Sequence, residues 1–533
     1  MYVSAEEGQT RPELQSEPQP EEQAEAGGCE SPVAEFFGGA SVLVTGGTGF
    51  LGKVLVEKLL RSCPRLRTVY LLVRAKKGRA PQQRLDQLFS QQVFSQLRPS
   101  VLKKVVAVAG DAGLADLGLS PADRAELCRH VSVVIHAAAT VRFDEQLELA
   151  AAINVRGTQE VMRLARDMPN LKAVVHVSTA YSQCRERLVE ERVYEAPLTP
   201  SHLLHVAKMA DGDEKAPAPA DPANKCGADV SGDALPVGYP NTYTLTKAVA
   251  EQLVRDEGVG LPVAIVRPSM VVATSQEPVT GWIDNVYGPT GVCVAATLGL
   301  LRVVPCDRRA IAHIVPCDLV VNCVIAAAWD VATNRSPDSK EPKVFNLVSS
   351  DAPLRWEDFM AFYQHFAKKV PPMSAVWSYS LCMTTSEPLV LFYKYVVHMG
   401  PALLADAALF LTTGKPKMVG AYRKIHRLLD VTRYFSTREW SFDNRRCKEL
   451  WSRLSAADRQ LFPFDMRNFD WDTYFYRYVR GVRLYILKED MANVNEALPR
   501  WHRLRRADRT IRAAATALLL WLLWRLLAAL FWE

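Results

Sequence analysis

The stretch Thr45-Gly46-Gly47-Thr48-Gly49-Phe50-Leu51-Gly52 decides the fold of this 533-residue chain. It follows a short apolar run rich in β-branched residues (41–45) and precedes apolar residues at helical spacing (53–60). Glycines between a strand and a helix are typical of dinucleotide-binding sites, where the chain must turn tightly and approach a pyrophosphate. The positive end of the helix dipole then faces the phosphates. All eight residues are therefore expected to contact a dinucleotide cofactor.

Five more apolar runs follow the first one, separated by helical patterns. They occupy residues 69–73, 104–109, 131–137, 173–177 and 262–266. Strands that alternate with helices favour a parallel sheet covered by helices on both faces. The predicted fold class is therefore α/β, with a Rossmann-type doubly wound parallel sheet.

Two later segments depart from this alternation. Residues 206–238 are rich in Pro, Ala, Asp and Gly, and they are predicted to form a long surface loop. Beyond about residue 344 a mainly helical region is expected to extend to residue 487. Within it, residues 375–411 are apolar but interrupted by two prolines and a lysine. They either form the core of a second domain, which is the preferred interpretation, or press against a membrane.

The two ends of the chain differ in composition. Residues 1–35 are rich in Glu, Gln and Pro, with Arg11 as the only basic residue. They are predicted to be a disordered acidic tail without a secretory signal. Residues 513–532 form an apolar stretch of the length that crosses a bilayer, and an arginine-rich flank (491–512) precedes it. This flank favours a cytosolic position for the rest of the chain.

The expected topology is a single-pass C-terminal tail anchor with a C-terminal transmembrane helix. Arg525 lies inside the apolar stretch, where a charge is unfavourable unless it snorkels or is paired. A helix that lies in the membrane interface, or one that packs on the protein, is the alternative.

Charge, cysteine spacing and histidine spacing argue against nucleic-acid binding, a disulfide framework and a metal site. The net charge of +6 is small for this length and gives no case for nucleic-acid binding. The 11 cysteines are scattered without a CxxC pair, which indicates a reducing compartment rather than disulfides. His136, His176 and His313 lack partners at metal-ligand spacing and are interpreted as structural, so no metal site is predicted.

The end of the second strand indicates which dinucleotide is bound. An acidic residue there would bind the ribose of NAD, whereas Arg74, followed by two lysines, suits the 2′-phosphate of NADP. NADPH is therefore the expected cofactor. Asp111 follows the third strand and either accepts a hydrogen bond from the adenine or caps a helix.

Candidate catalytic residues follow the fifth strand and lie on a later helix. Tyr243 and Lys247 form a YxxxK sequence, which places both on one helical face. The ammonium is expected to lower the pKa of the Tyr243 phenol towards neutrality, so that the phenol can transfer a proton. Thr179 is expected to donate a hydrogen bond to the reacting carbonyl, with Ser178 as the alternative. Pro268 ends the sixth strand and is expected to lie against the nicotinamide, whose ribose Lys247 would hold.

Taken in order, TGGTGFLG, HAAATVRF, NVRGT, HVSTAYS, YTLTK and VRPSMV resemble the extended short-chain dehydrogenases. Ala137, in the HAAATVRF segment, is a further expected cofactor contact. The segment EPVTGWIDNVYGPTG (277–291) and the region 435–488 resemble the fatty acyl-CoA reductases, whose C-terminal part is called a male-sterility domain. The resemblance covers most of the chain, from about residue 36 to residue 490.

That resemblance implies NADPH-dependent reduction of a long-chain fatty acyl-CoA to a primary alcohol, through a hemithioacetal and an aldehyde. The implied organisation is an NADPH-binding domain (36–345), a helical domain (346–490), a basic linker (491–512) and the anchor (513–532), in a peroxisomal or endoplasmic reticulum membrane. The lipid bilayer is an expected partner, and a homodimer is compatible with the sequence. The alternatives are a reductase of a steroid or a sugar nucleotide, and a catalytically silent lipid-binding scaffold.

One segment departs from the family pattern. After GPTG the family usually carries a Gly-Lys-Gly-like stretch, whereas Thr297 and Leu298 occupy these positions here. The role of that lysine in holding CoA phosphates either passes to Arg302 or is lost, with a reduction in affinity.

Overall fold

Seven parallel strands form the main sheet of the computed structural model, and shorter strands pair outside it. The structure describes residues 31–75, 78–209, 235–334, 341–415 and 417–531. The strands are β1 (Ser41–Thr45), β2 (Thr68–Val73), β3 (Val105–Ala109), β4 (Val133–His136), β5 (Ala173–Val177), β6 (Leu188–Val189), β7 (Val263–Pro268), β8 (Met270–Val272), β9 (Val303–Pro305), β10 (Ile314–Pro316), β11 (Lys343–Leu347), β12 (Cys382–Thr384) and β13 (Ser441–Phe442). The main sheet has the order β11-β7-β5-β4-β1-β2-β3. The chain reverses its direction of progress across the sheet between β1 and β4, and sheets of this type bind ligands at such a point.

The described residues also form α-helices, several of which cover the two faces of this sheet. They are α1 (Pro32–Phe36), α2 (Phe50–Ser62), α3 (Pro81–Phe89), α4 (Pro99–Leu102), α5 (Pro121–His130), α6 (Leu147–Ala151), α7 (Gly157–Arg166), α8 (Pro200–Met209), α9 (Thr242–Glu257), α10 (Pro289–Thr297), α11 (Cys317–Thr333), α12 (Trp356–Ala367), α13 (Glu387–Phe392), α14 (Gly400–Thr413), α15 (Met418–Ser436), α16 (Arg445–Arg453), α17 (Ala456–Leu461), α18 (Trp471–Gly481) and α19 (Val494–Phe531). Helices α2 and α11 pack on one face, and α7 and α9 pack on the other. Strands buried on both sides explain the continuous apolar runs in the sequence.

The predicted fold class is confirmed, and all six predicted strands are present. The sheet has a seventh strand that the sequence pattern did not reveal, because β11 pairs in parallel with β7. The predicted domain boundary between residues 345 and 346 falls inside this strand. Lys343 and Asn346 interrupt its sequence, which leaves no apolar run long enough to be recognised by periodicity.

The first described residues are folded, although the disordered tail was predicted to extend to residue 35. Ser31 caps α1, and Val33 is fully buried. The Ser31 hydroxyl and the Val33 amide donate to the Asp458 carboxylate, at 2.5 and 3.1 Å. This contact docks the turn on the body of the protein, and the rest of the predicted tail (1–30) lies outside the described residues.

Two other segments that were predicted to be irregular are helical in part. Helix α8 extends to Met209, so the loop predicted for residues 206–238 begins later than expected, and residues 210–234 lie outside the described part of the chain. The predicted linker at 491–512 belongs mostly to α19, which continues without interruption to Phe531. Arginines have high helix propensity, so an arginine-rich sequence does not by itself indicate a linker.

The second region packs on the first through short strand pairs and an aromatic core. Strand β12 pairs with β9, and β13 pairs with β6. Helices α12 and α18 contact each other through aromatic rings, among them Phe359 and Phe475 with centroids 5.0 Å apart. The strand pairs, and a core in which α12 and α18 pack against first-region residues such as Val272 and Val292, hold the two regions together.

The preferred interpretation of residues 375–411 as a core is wrong for their helical part. Helices α13 and α14, joined by a π-helical stretch (Tyr393–Met399), carry large apolar side chains on the surface. Leu404 is 76% exposed and Leu411 is 86% exposed. A helix that is apolar on all sides needs a partner around it, and the body of the protein covers only one of its faces.

Candidate active site

A cavity of about 880 Å³ opens at the carboxyl ends of β1, β4, β5 and β7. Its polar part is lined by the glycine-rich turn, by the segments that follow these strands, and by the first turns of α9. Its apolar part is lined by Val292, Val304, Trp356, Phe359, Met360, Met383 and Phe435. The cavity therefore joins a dinucleotide-type turn to an apolar compartment supplied mainly by the second region.

The glycine-rich turn has the geometry that a pyrophosphate requires. Gly46 has a φ of +76°, and a Cβ atom there would lie 2.6 Å from the Ala138 nitrogen. A Cβ atom on Gly52 would lie 2.2 Å from the Gly46 carbonyl oxygen, so only glycine lets α2 approach β1 this closely. Gly49 is the N-cap of α2 and has no side chain to bind the first N–H groups of the helix. These groups are available to a phosphate.

Six of the eight predicted turn residues line the cavity: Gly46, Thr48, Gly49, Phe50, Leu51 and Gly52. Thr45 and Gly47 do not. The buried Thr45 hydroxyl lies 2.7 Å from His136 Nδ1, and Gly47 lies against the Leu71 side chain. Both residues stabilise the turn on the side that faces away from the cavity. The motif alone does not distinguish this role from direct contact with the cofactor.

Two guanidinium groups lie together at the end of β2. Arg84, on α3, donates to the Arg74 carbonyl oxygen at 2.6 Å and to Thr48 Oγ1 at 3.4 Å. Burial and the neighbouring Arg74 charge lower the pKa of Arg84. Two guanidinium groups held this close together can bind one anion between them. The sequence analysis missed Arg84, which belongs to no motif, and the two lysines after Arg74 lie outside the described residues.

Asp111 lies beside this pair and lines the cavity. Its Oδ2 is 3.7 Å from Arg74 Nη1, and its Oδ1 accepts from the Gly113 N–H at 3.0 Å. The carboxylate therefore stabilises its own loop and holds the arginine, and one of its oxygens still borders the cavity region expected to receive the adenine.

Tyr243, Lys247 and Thr179 meet at the same cavity, as predicted. Tyr243 and Lys247 lie one turn apart on α9, and the Thr179 side chain hydrogen-bonds the Tyr243 phenol. Lys247 Nζ donates to the Val177 carbonyl oxygen at 2.8 Å, so it also anchors the end of β5. The Phe143 ring stacks on Tyr243 with centroids 5.8 Å apart.

The predicted lowering of the Tyr243 pKa is wrong. Burial raises the pKa of Tyr243 to about 12, although the hydrogen bond from Thr179 opposes this rise. Burial also lowers the pKa of Lys247 to about 8, with the Glu251 carboxylate acting in the opposite direction. At neutral pH the phenol is therefore protonated and the lysine is charged, so Tyr243 is suited to donate a proton.

Ser178, the alternative to Thr179, has a different partner. Its Oγ donates to Glu251 Oε1 at 2.5 Å. Glu251 also forms an ion pair with Arg267, whose Nη2 lies 2.6 Å from Oε2, and both side chains are fully buried. This group ties the segment that carries Thr179 to α9. The sequence analysis missed Glu251, although it follows Lys247 by one helical turn.

Ala137 and Pro268, the two other expected cofactor contacts, line the cavity. His136 is buried between the hydroxyls of Thr45 and Thr158, at 2.7 and 3.0 Å, and burial lowers its pKa to about 3. It is therefore a neutral structural group. Within the described ranges, no group of three or more His, Cys, Asp or Glu side chains could hold a metal ion.

Thr297 and Arg302 do not reach the cavity. Thr297 is buried and donates to the Tyr363 hydroxyl at 3.1 Å. Arg302 Nη2 lies 3.5 Å from Asp508 on α19. The expected transfer of a CoA-phosphate role to Arg302 does not fit this position, because the guanidinium joins α19 to the body instead.

Comparisons with known proteins agree with this geometry. Residues 44–324 match an NAD-binding family model described as male sterility protein, and residues 397–489 match a second model with the same description. Over 504 residues the chain is 39% identical to fatty acyl-CoA reductase wat of Drosophila melanogaster, which covers 93% of this chain and 94% of that protein. The chain belongs to the fatty acyl-CoA reductases. This reductase is also 38% identical over 506 residues to fatty acyl-CoA reductase 2 of Bos taurus, covering 94% of each chain.

Solved structures share the fold of this fatty acyl-CoA reductase at lower identity. The terminal R domain from the myxalamid PKS-NRPS pathway has a TM-score of 0.52 at 21% identity, covering 83% of this chain and 90% of that one. A reductase (R) domain of a non-ribosomal peptide synthetase from Mycobacterium tuberculosis has a TM-score of 0.53 at 19% identity, covering 84% and 92%. The parallel sheet with its C-terminal region is thus a recurrent architecture, and the NAD-binding model indicates a nicotinamide cofactor.

Two helical segments of the reductase, Glu387–Thr412 and Met491–Ala529, are long and apolar enough to cross a membrane. The apolar end of α19 is exposed along its length, as Leu519 (67%) and Trp524 (60%) illustrate. Packing of this end on the protein, one of the alternatives, is excluded for the described residues. Membrane association is therefore indicated.

Proposed function

We propose that this enzyme reduces a long-chain fatty acyl-CoA to a primary fatty alcohol, consumes two NADPH and releases CoA. The observation that supports it is the continuity of one cavity from the glycine-rich turn, past Tyr243, to the apolar compartment. Aromatic rings mark the passage between the two parts, since Phe143 contacts both Tyr243 and Phe435, at centroid distances of 5.8 and 5.5 Å. An acyl chain in the apolar part would therefore place its thioester carbonyl beside the phenol.

The site residues have distinct roles in this proposal. The six lining residues of the turn, with Ala137, Asp111 and Pro268, border the dinucleotide, and bound NADPH supplies the hydride. The Tyr243 hydroxyl and the Thr179 hydroxyl donate hydrogen bonds to the carbonyl oxygen, on which negative charge develops. Tyr243 then gives its proton to that oxygen, and the charged Lys247 stabilises the phenolate that remains.

The reaction balances over two reductions. In the first, the thioester carbonyl gains a hydride and a proton and becomes a hemithioacetal. The carbon–sulfur bond then breaks, and CoA leaves as a thiol with the hydroxyl proton while an aldehyde forms. In the second, the aldehyde gains a hydride and a proton from the same groups and becomes the alcohol. Tyr243 is reprotonated between the two reductions.

The full chain in detergent, given palmitoyl-CoA and NADPH, tests this proposal. We expect hexadecanol as the product, with two NADPH oxidised for each CoA released, measured by absorbance and by mass spectrometry of the lipids. Oxidation of one NADPH per CoA with accumulation of hexadecanal would contradict the alcohol product. Bound NADPH without turnover on acyl-CoAs of several lengths would favour a steroid or sugar-nucleotide substrate, or a silent scaffold.

The preference for NADPH is proposed to depend on the two adjacent guanidinium groups. Replacing Arg74 and Arg84 together by Ala is expected to raise the KM for NADPH by about 100-fold or more, since two charge-assisted hydrogen bonds are lost and each contributes about 1.5–3 kcal/mol. The KM for NADH should change little, because NADH lacks the 2′-phosphate. Arg79→Ala is the matched control, since Arg79 is an exposed neighbour that binds Gln87 at 2.7 Å. An equal loss for both cofactors would contradict the assignment.

The charge of Lys247 predicts a pH limit for the enzyme. Its pKa is lowered to about 8, so the ammonium is present below that pH and lost above it. The kcat/KM for acyl-CoA is therefore expected to fall as pH rises through about 8. Lys247→Arg keeps the positive charge at every accessible pH. In this variant the fall in kcat/KM with rising pH is expected to disappear, at a reduced overall rate. An unchanged fall in Lys247→Arg would assign the titration to another group.

We propose that the apolar end of α19 anchors the enzyme in a membrane with the catalytic domain on the cytosolic side. The arginine-rich first half of the helix supports that orientation. Both a long acyl-CoA and a fatty alcohol partition into bilayers, so a membrane position brings the substrate pool to the cavity.

A further inference from the structure

We propose that residues 387–412, called here the apolar arm, insert into the cytosolic leaflet of a lipid bilayer without crossing it. The arm consists of α13, the π-helical stretch and all of α14 except its last residue. It would be a second membrane contact, separate from the anchor at the end of α19. The inference concerns binding to lipid and stands whether or not the proposed reduction is correct.

The outer surface of the arm is apolar over its whole length. Phe392, Tyr395, Leu403, Phe410 and Leu411 are each more than half exposed. Together with Leu389, Leu391, Val396 and Leu404 they give nine exposed large apolar side chains on a segment of 26 residues. Scattered apolar residues are normal on a protein surface, but a contiguous patch of this kind indicates a partner.

The charged side chains of the arm are ion-paired or hydrogen-bonded to α15 and to the residue that precedes it. Lys394 Nζ binds Asp430 Oδ1 on α15 at 2.5 Å, and Glu387 pairs with Arg433 on the same helix. Asp406 accepts hydrogen bonds from three successive backbone N–H groups at residues 417–419, at 2.8 to 2.9 Å. Insertion into lipid would therefore not require these groups to give up their partners.

Both ends of the arm are attached to the protein, which excludes a crossing. The ion pair at Glu387 holds the start of the arm against α15, and the bonds at Asp406 join the middle of α14 to the first residues of α15. Helix α15 runs back along the arm and ends in the body, where Ser436 Oγ donates to the Pro305 carbonyl oxygen at 2.6 Å. A segment whose two ends return to the same folded body lies in one leaflet, in the manner of an interfacial helix.

Basic residues next to the arm match the charge of a membrane surface. Lys415 and Lys417 follow α14, and Arg423, Lys424 and Arg427 lie on α15; all five side chains are exposed. Cations beside an inserted apolar helix attract anionic headgroups. A protein partner with an apolar groove would not require such a rim, so lipid is the occupant that this surface favours.

The arm is also joined to α19 near the base of its apolar end. The Arg302 backbone N–H donates to His398 Nε2 in the arm at 3.1 Å, and the Arg302 guanidinium pairs with Asp508. Asp508 also accepts from Trp377 Nε1 at 2.6 Å. The arm and the anchor therefore leave the body at neighbouring points, and one bilayer can receive both.

Depth-dependent quenching in the full chain tests the inference. The chain is reconstituted into vesicles of phosphatidylcholine and phosphatidylserine, with a thiol-reactive fluorophore on Leu404→Cys or Leu411→Cys and nitroxide groups on the lipid acyl chains. Leu522→Cys reports the anchor, and Val259→Cys is the control, because Val259 is an exposed apolar residue after α9. We expect quenching at 404 and 411 by shallow nitroxides, quenching at 522 by deep ones, and none at 259.

A second measurement separates the arm from the anchor. Full chains in which Leu519, Leu522, Leu523 and Leu526 are all replaced by Ser should still float with anionic vesicles through the arm. Adding Leu404→Glu and Leu411→Glu should lower the bound fraction by about tenfold or more, since two exposed leucines lose their transfer into lipid.

Three outcomes would overturn the inference: labels at 404 and 411 that stay unquenched while 522 is quenched, flotation unaffected by the two Glu substitutions, or quenching at 404 as deep as at 522. NADPH consumption by the same variants is measured in parallel. Since the substituted residues lie outside the cavity, failure to bind vesicles is distinguishable from failure of the proposed reduction.

Discussion

Tyr243→Phe is expected to lower kcat for acyl-CoA reduction by about 10²- to 10⁴-fold, the usual contribution of a positioned general acid. The phenol is the protonated group at the cavity, since burial raises its pKa to about 12. Without it, the oxygen that receives the charge keeps only the Thr179 hydroxyl as a donor. The KM for NADPH should remain close to that of the parent enzyme, because the ring still packs on Phe143.

The matched control for this variant is Tyr239→Phe. Tyr239 is a buried ring that precedes α9, does not line the cavity and stacks under the Arg185 guanidinium. The chemical change is the same, so any general effect of losing a phenol appears in both variants. Equal activity of Tyr243→Phe and Tyr239→Phe, measured by NADPH oxidation and by alcohol formed, would remove Tyr243 from the mechanism.

Glu251→Gln is expected to destabilise the enzyme by about 3–5 kcal/mol, because it leaves the Arg267 charge buried without a counter-charge. Both side chains are inaccessible to solvent, and Ser178 donates to the same carboxylate. The effect should appear as a lower midpoint of urea-induced unfolding in detergent. The segment that carries Thr179 would also lose its attachment to α9, so activity should fall before global unfolding.

Two further variants distinguish the effect of an unpaired buried charge from the effect of changing side-chain shape. Glu251→Leu combined with Arg267→Met removes both charges, and much of the lost stability should return. Glu195→Gln breaks the Arg255–Glu195 pair, in which Glu195 is 74% exposed, and should change stability by less than about 1 kcal/mol. If Glu251→Gln proves no worse than Glu195→Gln, the buried pair does not stabilise the fold in the way described.

Local motifs predicted the parts of the site that depend on neighbouring residues. The turn at 45–52 and the YxxxK pair need only the geometry of one turn and one helix, and both meet at the cavity. Arg84 and Glu251 belong to no such motif. They act through contacts with residues 36 and 73 positions away, which the sequence order does not reveal. The sheet was predictable for the same local reason, except for β11, whose pairing with β7 bridges about 80 residues.

Burial explains two of the expectations that failed. The Tyr243 pKa was predicted from the neighbouring Lys247 charge, but burial is the main influence on it, and the Lys247 ammonium is directed at the Val177 carbonyl oxygen instead. Residues 387–412 have the composition of a core, and composition cannot distinguish a core helix from one that faces lipid. Only the three-dimensional arrangement shows which apolar surfaces the protein itself covers.

Helix α19 contains neither proline nor glycine from Arg500 onwards, so it continues as one rod from its contacts with the body to its exposed end. Because the helix has no hinge, the orientation of its exposed end determines the orientation of the folded body. With its end anchored in a bilayer, as proposed, the enzyme cannot tumble relative to the membrane, and its remaining motions are lateral diffusion and rotation about the membrane normal. Search for substrate then becomes a two-dimensional problem, in which encounters are set by the area density of acyl chains rather than by their concentration in water.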